Sequence, residues 1–193
     1  VCAGAEKSLL TFLSALDFNK FDVDLQLFRC GGELEQFIPK EVNVLPMFSY
    51  TKFLKKSVLK QLLSFDFKKN IARWKYSLAI RSWKNMLHAD KARLYWRCCQ
   101  SVLPSYSTTY DVAIAYAQSI PTFYVADKVN AKLKLSWVNC GYNLSPKNIN
   151  FQEKFYKKIL EKDPVSWEAY FFAEYCTLRH PAWAPYRQDI DHL

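Results

Sequence analysis

Few features of this chain mark an enzyme by motif alone. Its four glycines form no G-x-G-x-x-G, Walker or G-x-S-x-G pattern, so neither a glycine-rich nucleotide loop nor a nucleophile elbow can be read from them. The three histidines, His88, His180 and His192, have neither H-E-x-x-H nor H-x-x-x-H spacing. Each is expected to pack or face solvent rather than act as a base or ligand. No uninterrupted apolar run reaches the roughly 18 residues of a bilayer span, so no transmembrane helix is expected. A basic region followed by an apolar one is also missing at the start, which argues against a signal peptide. None of the six cysteines (Cys2, Cys30, Cys98, Cys99, Cys140, Cys176) forms a C-x-x-C pair. They read as reduced, partly buried thiols of a cytoplasmic protein, without structural zinc. Internal repeats and low-complexity segments are absent as well.

What is present points to a folded chain. At 193 residues, half of them apolar and 17% aromatic, it has material for one sizeable core, with or without an appendage. The formal charge of +9 is unevenly spread. Between Lys52 and Arg97 lie thirteen Lys or Arg residues against only Asp66 and Asp90. The same segment carries Phe53, Phe65, Phe67, Trp74, Tyr76, Trp83, Tyr95 and Trp96. Such a stretch suits an anionic membrane surface or a nucleic acid. A solvated helix face whose aromatics are core explains it too.

Local patterns alternate between helix and strand. A small-residue turn at Val1–Gly4 runs into a helix over 5–16, with Leu9, Leu10, Phe12, Leu13 and Leu16 near one face. A turn of this kind normally follows a first strand and offers backbone N–H groups to an anion. Residues 21–28 alternate and predict a strand, Gly31-Gly32 a turn, 33–37 a short helix closed by Pro39, and 42–45 a second strand. Residues 51–100 read as helical in two or three pieces, with breaks near Phe65-Asp66 and at 87–90. The apolar run 110–116 predicts a strand buried on both faces. Pro121 opens a helix to Val129, residues 132–138 alternate as a strand, and 151–160 are again helical. The aromatic-rich end suggests a helix over 165–178 with an irregular finish. The alternation implies a parallel sheet with crossover helices.

Two short constellations sit on this frame. Asp22-Val23-Asp24 matches the D-x-D metal motif and puts both carboxylates on one face. Mid-strand, opposite an apolar set, that face reads as solvated rather than as a ligand site. Asn139-Cys140-Gly141-Tyr142 follows a strand's C-terminal end, where an amide, a glycine and an aromatic ring suit a sugar or phosphate. A plain connector explains these residues equally well.

Taken in order, Gly4-Ala5-Glu6-Lys7-Ser8-Leu9, Phe21-Asp22-Val23-Asp24-Leu25, Gly32-Glu33-Leu34 with Ile38-Pro39, Tyr110-Asp111-Val112-Ala113-Ile114-Ala115-Tyr116, Val125-Ala126-Asp127-Lys128-Val129 and Ser136-Trp137-Val138-Asn139 resemble a known domain. It is the N-terminal, acceptor-side domain of bacterial family-four, GT-B-fold glycosyltransferases of capsule and surface-polysaccharide type. The resemblance implies an α/β fold: a Rossmann-like parallel sheet with flanking helices, lacking its first strand, with a helical insertion near 51–100. It assigns 1–158 to this domain and leaves 159–193 as a divergent aromatic-rich tail.

The implied activity is retaining, metal-independent transfer from a nucleotide-sugar donor, without a further cofactor. The domain would receive a sugar or lipid-linked acceptor at the inner face of the membrane, in a cytoplasmic, peripheral setting. Gly4, Ala5, Glu6 and Lys7 then form the acceptor- or phosphate-binding loop. Trp137, Asn139, Gly141 and Tyr142 form a loop at the cleft. Lys55, Lys56, Arg73, Trp74 and Lys75 become membrane-docking residues. The sequence departs from the family pattern where a glycine pair is Ala3-Gly4 and where a histidine and an aspartate are Asn139 and Gly141. The family's nucleotide-binding second domain is not matched, so a fragment inactive by itself is expected, with its catalytic residues unassigned. The alternatives are a nucleic-acid module built on 52–97, which no recognised motif supports, and a non-catalytic interaction protein using the aromatic tail.

Overall fold

The computed structural model describes residues 4–83, 86–137 and 146–160. This part is a mixed α/β structure with seven α-helices, two 3-10 helices and four strands. It divides into two compact units. Unit 1 is Val1–Leu78 with Cys98–Pro104, and unit 2 is Ala79–Arg97 with Ser105–Leu193. The described strands make two separate two-stranded parallel sheets, where the sequence predicts one. The expected tail helix and residues 138–145 lie outside the described residues.

In unit 1, helix α1 (Gly4–Ser14) presents leucines at helical spacing and buries Leu13. Strand β1 is only Asp24–Leu25 and pairs in parallel with β2, Asn43–Val44. The alternation over 21–28 therefore overstates the strand. A strand is as long as its partner, and β2 sits between Pro39 and Pro46. Two cross-strand bonds hold the pair, Asn43 N to Val23 O and Leu45 N to Leu25 O, both 2.9 Å. The 3-10 helix Glu33–Phe37 falls where the short helix was expected.

The basic segment forms four helices, one more than the largest number expected: α2 (Ser49–Leu54), α3 (Val58–Leu62), α4 (Phe67–Arg81) and α5 (His88–Cys99). The unforeseen break precedes α3, where Ser57 Oγ accepts from Lys60 N at 3.5 Å and caps the helix. The expected break at 65–66 is present. Phe65 takes a positive φ of 52°, and Asp66 pairs with Lys69 at 2.5 Å at the start of α4. The second break ends at Leu87 and meets the expected 87–90 only there, because His88 already begins α5. The unit's core gathers Phe48, Tyr50, Phe53, Cys99 and Leu103. Within it Tyr50 and Phe53 stack at 6.1 Å, and Tyr50 OH lies 3.3 Å from Cys99 Sγ.

In unit 2, β3 (Thr109–Ala115) pairs in parallel with β4 (Asn130–Ser136), Val112 opposite Leu133 and Ala115 opposite Ser136. Helix α6 (Ile120–Lys128) connects them, with Pro121 in its first turn as expected. Helix α7 (Pro146–Leu160) packs on α6 and β4. Buried Trp96, Phe123 and Phe155 form the core, with ring centroids 4.4 Å apart for Phe123–Phe155 and 5.9 Å for Trp96–Phe123. Asn148 ties α7 to α5, receiving Arg93 Nε and donating to Asp90 Oδ1, each at 2.8 Å.

The sheet's two faces correct the expectation for β3. Ala113 and Ala115 are buried, whereas Val112 and Ile114 are exposed, so among the described residues β3 is covered on one face only. The covered face is the one that meets α6. There Thr122 Oγ1 lies 3.0 Å from Ser136 Oγ, and Lys134 Nζ donates to Ala126 O at 3.0 Å. Lys134 is thus buried while Leu133 and Leu135 are half-buried, the reverse of the usual apolar-inward pattern.

Candidate functional site

A cleft of about 470 Å3 lies in unit 1 between α1, β1 and the Glu33–Phe37 helix. Its volume is that of a small-molecule site. Leu9, Leu10 and Leu13 of α1 and Leu25 and Leu27 from the β1 region make an apolar floor. Glu6, Arg29 and Glu33 stand among the lining residues as charged groups. One side is shaped by the glycine pair. Gly31 adopts φ +97°, a region that side chains disfavour. Glu35 Oε1 accepts from Gly31 N at 2.6 Å and from Gly32 N at 2.9 Å, which fixes this turn. Lys55 Nζ closes on the neighbouring Cys30 carbonyl at 3.1 Å.

Gly4, Ala5, Glu6 and Lys7 occupy the first turn of α1, in keeping with the helix expected from Ala5 and in place of the loop that the resemblance implies. Glu6 lines the cleft, and Lys7 is exposed. The helix N-terminus keeps its positive end, with Glu6 in its first turn. Asp22 and Asp24 are both exposed, and Asn43 Nδ2 donates to Asp24 Oδ1 at 2.7 Å. Among the described residues no group of three His, Cys, Asp or Glu gathers to hold a metal.

In unit 2, Trp137 follows the C-terminal end of β4. It stacks on Tyr116 with centroids 5.3 Å apart and planes 4° from parallel. Its backbone N–H donates to Ala115 O at 2.7 Å. Its intended partners Asn139, Gly141 and Tyr142 lie outside the described residues. Sequence reasoning missed Ser119, which precedes α6 with φ +70°; no glycine marks this turn.

Of the docking residues, Lys55, Lys56, Trp74 and Lys75 are exposed, and Arg73 is half-buried with its Nη1 enclosed and unpartnered among the described residues. Among the described residues Cys30, Cys98 and Cys99 form no disulfide, and burial pushes the Cys99 thiol up to about 11, partly offset by the Tyr50 hydrogen bond. Cys2, Cys140 and Cys176 lie outside the described residues. His88 is exposed, and His180 and His192 also lie outside them. Comparison with protein-family models, with curated proteins and with solved structures found no match to this chain.

Proposed function

We propose that these residues are the acceptor-binding half of a retaining glycosyltransferase that uses a nucleotide-sugar donor for surface-polysaccharide synthesis. The observation that carries this reading is the unit 1 cleft, with its leucine floor and its charged Glu6, Arg29 and Glu33. An apolar floor suits the lipid portion of a lipid-linked acceptor. Carboxylates and a guanidinium suit sugar hydroxyls and a phosphate, the guanidinium by paired N–H donors. The parallel pairs β1/β2 and β3/β4, with helical segments between the paired strands, support a Rossmann-like lineage. Sugar transfer then requires a donor-binding domain, because charge that develops in transfer is met by groups between two domains.

Equilibrium dialysis of the purified chain against a short polyprenyl-phosphate monosaccharide tests the reading. Saturable binding is expected, and Leu10→Trp, which fills the cleft, should weaken it by on the order of tenfold. Binding that ignores Leu10→Trp, or no saturable binding, overturns the cleft assignment. Donor turnover by these residues alone overturns the assignment to an acceptor half.

A further inference from the structure

Helix α4 faces the wrong way for an ordinary surface helix. At 3.6 residues per turn, Phe67, Ile71, Trp74 and Leu78 fall on one narrow stripe. A soluble helix turns such a stripe to the core. Here all four are more than half exposed, from 52% at Ile71 to 70% at Phe67. The helix instead buries Ala72 on the opposite side, with Tyr76 half-buried there. The turn that leads into α4 adds Phe65, which is 80% exposed.

Charge narrows what can cover this stripe. Helix α4 has no acidic residue, and exposed Lys68 and Lys75 flank the stripe on one side. A second copy would set lysines against lysines. A nucleic acid would take the charge but leave Phe67, Ile71 and Leu78 in water. An anionic bilayer accepts both, with apolar and aromatic side chains at the acyl boundary and lysines among the headgroups. No helix among the described residues is long and apolar enough to cross the membrane.

We propose that α4 lies in the plane of an anionic membrane surface, with Phe67, Ile71, Trp74 and Leu78 inserted and Lys68 and Lys75 on lipid phosphates. This differs from the docking set chosen on sequence, since Arg73 stands on the other side of the helix and only Trp74 and Lys75 belong to the stripe or its flank. The proposal stands independently of the acceptor reading. Because insertion is apolar, salt weakens binding without abolishing it.

The test is co-sedimentation of the full chain with vesicles of equimolar phosphatidylcholine and phosphatidylglycerol, beside vesicles of phosphatidylcholine alone. Binding to the anionic vesicles is expected, retained in part at high salt. Replacing Phe67, Ile71, Trp74 and Leu78 together by serine, all at exposed positions, should weaken partition by on the order of tenfold or more. Circular dichroism of that variant checks that it folds. Lys68→Glu with Lys75→Glu should erase the preference for anionic vesicles. No vesicle binding by the parent chain overturns the proposal, as does undiminished binding by the folded serine variant. Concentration-dependent dimerisation lost in the serine variant would assign the stripe to a second copy and overturn it too.

Discussion

Unit 2 closes a cluster of aromatic rings on one another, while unit 1 turns a long run of its large side chains to water. In unit 2 the rings of Trp96, Phe123, Phe151 and Phe155 meet at centroid distances of 4.4–6.1 Å, and α6 buries every residue from Thr122 to Ala126. In unit 1 the core is carried by Phe48, Tyr50 and Phe53, and exposed apolar side chains run from Leu54 through Leu78. Composition is similar in kind, but its use is not. The same aromatic and basic residues can make a core or a contact surface, and only their direction tells which.

The largest effect that tests this contrast is expected at Phe123. Truncation to alanine leaves a cavity among Trp96, Phe151 and Phe155 and should destabilise unit 2 by about 3–5 kcal/mol. Amide exchange of β3 and β4 would report the loss, and protection equal to the parent's would mean this cluster does not hold the unit.

A smaller effect belongs to unit 1 and depends on pH. The Cys99 thiol titrates near 9.0 when unfolded and at about 11 when buried against Tyr50. The fold favours the neutral thiol, so this contribution is complete below pH 9 and disappears as pH rises through 11. Chemical denaturation across that window should lose on the order of 2 kcal/mol. Cys99→Ala should flatten the alkaline slope, and an unchanged slope would place the titrating group elsewhere.

The smallest effect is expected at the exposed stripe. Trp74→Ala should leave the urea midpoint within about 0.5 kcal/mol of the parent. A loss comparable to that of Phe123→Ala would mean that Trp74 is a core residue and the contrast between the units is false.

Local signals are legible in the sequence, and orientation is not. The spacing of Leu9, Leu10 and Leu13 located α1, Gly31-Gly32 and Pro39 bracketed the 3-10 helix, and Phe65-Asp66 marked a real break. Strand β1 was overestimated because alternation reports what a segment can do, whereas pairing depends on the length of β2. Ser57 ahead of α3 is itself a residue type that caps helices. For β4, alternation correctly separated Lys132 and Lys134 from Leu133 and Leu135. It could not say which set α6 would cover, and α6 covers Lys134. The same ambiguity applies at α4, where periodicity found a stripe without its direction. At the candidate site, Glu6, Leu25 and Glu33 fall in segments that the sequence singles out, while Arg29 and Leu27 carry no motif and emerge only through their common cleft.

The path of the chain has a consequence for synthesis order. Tyr50 meets a cysteine 49 residues later, and between them the chain contributes Ala79–Arg97 to unit 2 before Cys98–Pro104 returns to unit 1. A nascent chain released only as far as α4 therefore still lacks the last piece of its first core. Unit 1 cannot be completed until part of unit 2 has been made, and any uninterrupted stretch that holds the whole of one unit also carries a piece of the other.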